Sequence, residues 1–262
     1  MKKVHNSITI LGAHGAKSAE GGSSSIWLTA QHVIDAGNLL LPLEEKSAQI
    51  ETIWLTHSHL DHIADIAYIL DNYYEERTKP LKIFALEETL EALKKHFFNG
   101  EIWPNFAQIP LCGSQEMTLT YHALNVEQAY VIEKGKTITP FLGDHSVPSV
   151  GYVLREGSSA IVISADTYAL EHIVRMIEED PTITACILEC SFPLRMATLA
   201  KTSKHLTAAY LFDGIRVLQG RNLKLYINHI KPVFAQEIKG EIERYKGDWD
   251  VTVLDDGDTV IF

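Results

Sequence analysis

The chain has 262 residues, enough for one large domain or two small ones, and 46% of them are hydrophobic, so a sizeable core is available. The steady recurrence of apolar segments argues for one continuous domain over residues 1–262. The net charge of −11, from 34 acidic and 23 basic residues, speaks against a broad nucleic-acid surface; a small anionic substrate would need local positive charge from bound metal ions.

Ser7–Leu11 and Ile26–Ile34 read as strands separated by glycine-rich turns, and Asp35-Ala36-Gly37 closes the second. Pro42–Ala48 reads as a short helix with its proline at the first position. Ile50–Leu55 is a buried strand, and a helix follows to about Tyr73 with Ile63, Ile66, Ala67 and Leu70 as its apolar stripe. Leu81–Ala85 is a strand and Glu87–Phe98 a helix with Leu90, Leu93 and Phe97 on one side. Asn99–Gly113 has little periodicity and reads as a long loop, either a lid or a dimer contact. Tyr73, Tyr74, Trp103 and Phe106 offer either an aromatic surface for a base or simple core or lid packing. Strands return at Met117–Leu124, Thr137–Phe141, Val150–Leu154 and Ala160–Ser164. The last part alternates: helix Ala169–Glu178, strand Ala185–Leu188, helix Thr207–Gln219, strand Lys224–Ile227, helix Ala235–Tyr245 and strand Asp250–Leu254. Strands followed by helices, twice over, predict two mixed sheets packed together with helices outside, a four-layer αββα sandwich.

The chemistry concentrates between the strand ending at Leu55 and the helix that follows. Thr56-His57-Ser58-His59-Leu60-Asp61-His62 places three imidazoles and a carboxylate within six residues. Alternation lets His57 and His59 point one way while Asp61 and His62 begin the helix and face a neighbouring spot, so one segment can feed two metal ions. Asp61 could instead cap free amides at the helix start, a role that leaves the histidines unexplained. Further donors sit where apolar strands end: His145 in Gly-Asp-His-Ser-Val-Pro, Asp166 in Ile-Ser-Ala-Asp-Thr and His229 in Tyr-Ile-Asn-His-Ile-Lys-Pro. Loops converge at such ends in α/β folds. Singly, each has an ordinary alternative as a cap or turn residue. Cys112, Cys186 and Cys190 form no paired spacing and fit a reducing compartment. Lys2 and Lys3 precede only a short apolar run broken by His5, Asn6 and Ser7, which is no signal peptide, and no stretch is long enough to span a bilayer. A cytoplasmic location is the expectation.

His57-Ser58-His59-Leu60-Asp61-His62-Ile63, with His145, Asp166 and His229 at strand ends, resembles the metallo-β-lactamase superfamily and most of all its class II 3′,5′-cyclic-nucleotide phosphodiesterases. Leu11-Gly12-Ala13, Ser24-Ser25, His145-Ser146-Val147-Pro148-Ser149, Ser164-Ala165-Asp166-Thr167, Glu189-Cys190-Ser191-Phe192-Pro193, Lys204-His205-Leu206-Thr207 and Asn228-His229-Ile230-Lys231-Pro232 are similar to that family's other blocks. Asp65 departs from it, standing where the family tends to have a small residue, and Gly12-Ala13-His14-Gly15 is not quite the usual glycine-serine opening.

The resemblance implies that His57, His59 and His145 hold one metal, that Asp61, His62 and His229 hold a second, and that Asp166 bridges them. Imidazole and carboxylate suit zinc, with manganese or iron as alternatives. Two ions about 3.5–4 Å apart clamp the attacking and leaving oxygens of an in-line displacement, and a shared water becomes the nucleophile. The implied activity is hydrolysis of a cyclic nucleotide, cyclic AMP foremost, to a nucleoside 5′-monophosphate. His205 would protonate the leaving oxygen, Asp61 and Asp166 sharing in the chemistry; otherwise it is a solvated residue before a helix capped by Thr207 or Ser203. Asp35 and Glu189 would orient site histidines from behind, unless Asp35 is only a turn residue. Cys190 reads as a small buried residue, and His14, His32, His96, His122 and His172, with no motif around them, as structural. The competing activities are a tRNA 3′-processing endonuclease, for which the chain lacks a basic glycine-rich arm, and a thioester or lactam hydrolase on the same scaffold. A metal-binding sensor is disfavoured by the full ligand set, and a diiron redox role by His59. A homodimer is the one protein partner considered, and neither membrane nor nucleic acid is expected.

Overall fold

The computed structural model describes residues 6–262. The lysines and His5 weighed above for a leader segment lie outside them. In chain order the elements are β1 (Ser7–Gly12), β2 (Ser25–Thr29), β3 (His32–Ile34), α1 (Leu40–Leu43), β4 (Thr52–Trp54), α2 (Leu60–Asn72) and β5 (Leu81–Ala85). Next come α3 (Glu87–His96), β6 (Leu119–Ala123), β7 (Tyr130–Glu133), β8 (Lys136–Leu142), β9 (Val150–Glu156), β10 (Ser159–Ile163) and α4 (Glu171–Glu179). The chain ends with β11 (Ile183–Glu189), α5 (Ala197–Ser203), α6 (Ala208–Gly214), β12 (Lys224–Asn228), α7 (Ala235–Tyr245), β13 (Val251–Val253) and β14 (Thr259–Ile261).

The strands form two seven-stranded sheets, ordered β14-β1-β2-β3-β4-β5-β6 and β13-β12-β11-β10-β9-β8-β7. The first is antiparallel from β14 to β3 and parallel from β3 to β6. The second is antiparallel from β7 to β10 and parallel from β10 to β13. Parallel neighbours need crossovers, and the helices α2, α3, α4, α5, α6 and α7 lie in those connections.

Side-chain alternation then sorts the core into three layers. In β10, Ile161 and Ile163 face the other sheet while Ala160 and Val162 face helices. The inter-sheet layer also holds Ile10, Ile26, Trp54, Tyr152 and Ile187. Ile53 and Leu55 pack with Ile66, Leu70 and Leu90 of α2 and α3; on the opposite side Val162 and Leu188 pack with Ile173, Leu211 and Ile238. This is the four-layer αββα sandwich read from the pattern of elements.

Several boundaries differ. The run Ile26–Ile34 is a hairpin of β2 and β3, because Thr29 Oγ1 accepts the Gln31 amide (3.3 Å) and closes a turn that no Gly or Pro announces. The helix expected from Pro42 starts at Leu40 and passes into a 3₁₀ turn, Glu44–Gln49. That expected over Thr207–Gln219 stops at Gly214 and resumes as a 3₁₀ turn, Arg216–Leu218. The edge strands β7 and β14 and the helix α5 were not anticipated. Among the described residues no helix is long and apolar enough to cross a membrane.

Candidate metal centre

The chemistry-bearing side chains gather at one edge of both sheets. The turn from β4 into α2 brings His57, His59, Asp61 and His62; the turns after β8, β10 and β12 bring His145, Asp166 and His229. Asp61 lies in the first turn of α2 but makes no capping bond, since His59 occupies the cap position without one. Asp166 precedes α4 by too far to cap it. Gly37 lets the chain after β3 pass close: a Cβ there would stand 2.0 Å from the Asp61 carbonyl oxygen.

His57 Nε2 and His145 Nε2 lie 3.0 and 3.1 Å from His59 Nδ1. Asp166 Oδ2 is 3.7 Å from the first and 3.9 Å from the second. On the other side, His62 Nε2 and His229 Nε2 lie 3.8 and 3.5 Å from Asp61 Oδ2. Asp166 reaches this group too, with Oδ2 3.5 Å from His62 Nε2 and Oδ1 3.3 Å from His229 Nε2. One buried carboxylate thus stands between two sets of converging donors, each set within 4.8 Å of itself.

Partners at the back fix which ring nitrogen holds a proton. His62 Nδ1 donates to Asp35 Oδ2 (2.7 Å), His145 Nδ1 to the Lys204 carbonyl (3.2 Å), His229 Nδ1 to Ser191 Oγ (2.9 Å) and His57 Nδ1 to Thr56 Oγ1 (3.0 Å). The opposite nitrogens therefore present lone pairs inward. His62 Nε2, His229 Nε2 and Asp166 Oδ1 are buried without any hydrogen-bond partner. An unpaired buried polar group costs about 1–3 kcal/mol, and several lone pairs aimed at one another call for cations rather than protons. The donor set fits divalent metal ions of the zinc, manganese or iron kind.

The electrostatics agree. Burial holds His57 well below the usual histidine range and lowers His59 and His145 as well. Burial pushes His62 the same way, but Asp35 and Asp166 prevail and raise it well above that range. Asp166 and Asp61 are likewise held below the carboxylate range against burial, the first chiefly by His229 and His62, the second by the hydrogen bond and charge of His229 and the charge of His62.

His205 stands beside this group, its Nδ1 2.8 Å from Glu189 Oε1 and 4.0 Å from Asp166 Oδ2. Burial lowers its pKa, and Glu189 more than reverses that. Glu189 also accepts the Thr167 amide (2.9 Å) and the Ser191 hydroxyl (2.6 Å), which ties β11 to the Asp166 turn and to His229. Asp35 accepts the Thr56 amide (2.8 Å) as well as His62, so it is more than a turn residue. Thr207 caps α6 through the Tyr210 amide. Asp35, Ala165, Lys204 and His229 all have positive φ, a strained backbone for non-glycine residues that gathers around this site.

Sequence reasoning missed Thr56, Ser191 and the Lys204 carbonyl, though each lies in or beside a quoted motif. Asp65 accepts the Leu39 and Leu40 amides (2.7 and 3.1 Å) and pairs with Lys17 (2.8 Å), tying the opening loop to α2. The aromatic residues weighed for base stacking pack instead. Phe106 is buried, Trp103 meets Tyr68 edge-on at 5.6 Å, and the Tyr73 and Tyr74 hydroxyls donate to the Glu44 and Pro110 carbonyls.

The structure superposes on that of unliganded yeast PDE1 with a TM-score of 0.82 at 20% identity, covering 98% of this chain and 99% of that one. The fold is also that of the metallo-β-lactamase fold protein YhfI from Bacillus subtilis, with a TM-score of 0.75 at 17% identity over 98% of each chain. A family model described as cAMP phosphodiesterases class-II matches residues 19–142.

In sequence the chain is similar to 3′,5′-cyclic-nucleotide phosphodiesterases. It is 26% identical to a probable 3′,5′-cyclic-nucleotide phosphodiesterase of Yersinia pestis over 211 residues, 71% of this chain and 59% of that protein. It is 24% identical to 3′,5′-cyclic-nucleotide phosphodiesterase 1 of Saccharomyces cerevisiae over 237 residues, 77% of this chain and 62% of that protein. The chain thus spans about 60% of the length of these relatives.

Proposed function

We propose that the chain is one metallo-hydrolase domain that opens 3′,5′-cyclic nucleotides, cyclic AMP foremost, to nucleoside 5′-monophosphates. The observation that carries this reading is the buried Asp166 standing between two donor sets, with its own Oδ1 and the inward His62 Nε2 and His229 Nε2 all without a hydrogen-bond partner. In this reading His57, His59 and His145 hold one ion, Asp61, His62 and His229 the other, and Asp166 contacts both, with zinc the first candidate and manganese or iron the alternatives. When bound, two such ions neutralise a phosphodiester and lower the pKa of water to make a nucleophile near neutral pH. The chain's own residues supply the rest. Asp35, Ser191, Thr56 and the Lys204 carbonyl hold the imidazoles in the tautomers that present lone pairs. Glu189 raises the His205 pKa and so favours its protonated form, and His205 delivers that proton to the leaving 3′ oxygen.

The net charge of −11 weighs against tRNA as substrate, and three cysteines without disulfides suit the cytoplasm. Self-association as a homodimer belongs to the same proposal. The test sets zinc- or manganese-loaded protein against cyclic AMP, cyclic GMP, a linear bis-nitrophenyl phosphodiester and a tRNA precursor. Rapid ring opening that His59→Ala abolishes, together with loss of metal, upholds the proposal. Turnover of the generic diester or of tRNA alone overturns it.

A further inference from the structure

The turn that carries His57, His59 and Asp61 has a second face. Ser58 and Leu60, which alternate with those residues, line a cavity of about 270 Å³ together with Ile63, Leu93, His96 and Phe97. Leu60, an apolar side chain between two donor residues, is 64% exposed among the described residues. Among the described residues no Lys, Arg, Asp or Glu lines the cavity.

We infer that this cavity receives the nucleobase of the substrate, an inference that rests on the function proposed above. A nucleobase is flat and apolar on its faces and polar at its edge. The cavity matches that division, with five hydrophobic side chains, Ala92 included, for the faces and the Ser58 hydroxyl and the His96 imidazole for the edge. Its volume lies just below the roughly 300–1,000 Å³ of sites that take a whole drug-sized ligand, so it suits one ring system rather than an entire nucleotide. The phosphodiester belongs a residue away, where the charged donors are. Phe97, half-buried and edge-to-face with Phe98 at 4.7 Å, adds to the cavity lining an aromatic ring of the kind that stacks on any base. A larger groove of about 650 Å³ lies on the outer face of α6 and α7. Its closest approach in the chain to a donor is Tyr168, whose ring is already stacked on Tyr210 at 4.4 Å.

Ala92 lines the cavity from α3, so Ala92→Phe fills it without touching the metal donors. The expected result is a rise in KM for cyclic AMP of about 10- to 100-fold, the scale of one lost base-stacking contact. Metal content should be unchanged, as should kcat/KM for a base-free sugar 3′,5′-cyclic phosphate. Leu60→Ser on the exposed rim shifts KM in the same direction by less and guards against misfolding of the first variant. Saturation-transfer NMR with adenosine and with ribose gives a readout independent of turnover: adenosine binds, ribose does not, and Ala92→Phe removes the adenosine signal. Equal losses on both cyclic substrates, or adenosine binding that is absent or survives in both variants, overturns the base subsite. Wild-type protein that hydrolyses no cyclic nucleotide overturns the proposed function instead, and the subsite then stands or falls on adenosine binding.

Discussion

Replacing Asp35 by Asn removes one charge behind His62 and little else. The residue is buried at φ 56°, a conformation that Asn tolerates, so the backbone is preserved. Asp35 accepts three donors: the Thr56 amide (2.8 Å), the Thr56 hydroxyl (2.9 Å) and His62 Nδ1 (2.7 Å). If the new amide keeps its oxygen on Thr56, its NH₂ group faces His62 Nδ1–H, donor against donor. His62 then loses its anchor or moves the proton to Nε2, the atom that should hold a lone pair. Loss of such a supporting contact costs about 10- to 100-fold in metal affinity, which is about 1.4–2.7 kcal/mol. Folding stability falls by less than the ~1.5–3 kcal/mol of a charge-assisted hydrogen bond, because burial already disfavours the Asp35 charge and raises its pKa. Zinc titration against a chromophoric chelator, with metal counted by mass spectrometry, separates the two ions. The ion held by His62 should weaken while the other is nearly unaffected. Wild-type affinity for both would refute the argument that Asp35 sets the His62 tautomer.

Other consequences can be checked with the same protein. His205→Ala should retain both ions and lose turnover by about 10²–10⁴-fold, measured by steady-state kinetics on metal-counted protein; near-normal turnover would remove His205 from the chemistry. Because Glu189 raises the His205 pKa and the acid must be protonated to act, kcat should fall as pH rises through that raised value. Glu189→Gln should move this alkaline limb to lower pH, and an unmoved limb would count against the pair. Asp35 and Asp166 raise the His62 pKa and so favour a proton that metal must displace. Calorimetry in buffers of differing ionisation heat should therefore show about one proton released per second-site ion and tighter binding as pH increases; no release would contradict the assignment. Gly37→Ala would drive a Cβ to 2.0 Å from the Asp61 carbonyl oxygen and 2.6 Å from Ser23 Oγ. A loss of about 1–3 kcal/mol is expected, and an unchanged melting temperature would show that the turn yields freely.

The parts of this site that are local in the chain were legible before any coordinates. His57 to His62 declare themselves by density, and Asp166 and His229, which singly also read as cap or turn residues, by following apolar runs that read as strands. The layered fold followed from the order of strand-like and helix-like periods. What could not be read depends on partners far along the chain. Ser191 supports His229 from 38 residues away, and the Lys204 carbonyl holds His145 across 59. No spacing encodes such contacts. The β2–β3 hairpin hid inside one apolar run because Thr29 rather than a glycine makes its turn. β7 and β14 escaped notice as short edge strands. Of the two readings open for Tyr73, Tyr74, Trp103 and Phe106, a surface for a base or packing, the rings take the second.

The donors are divided between the two sheets. A single turn of the first sheet brings His57, His59, Asp61 and His62, while His145, Asp166 and His229 all follow strands of the second. On the proposed assignment neither ion can be held fully by one sheet, so each ion is also a fastener across the seam of the sandwich. Its binding free energy resists the parting of the two layers at that edge and nowhere else. Stripping the metal should therefore loosen the molecule along one rim first, as a book opens from its clasp, while the far ends of the strands stay closed on their hydrophobic spine.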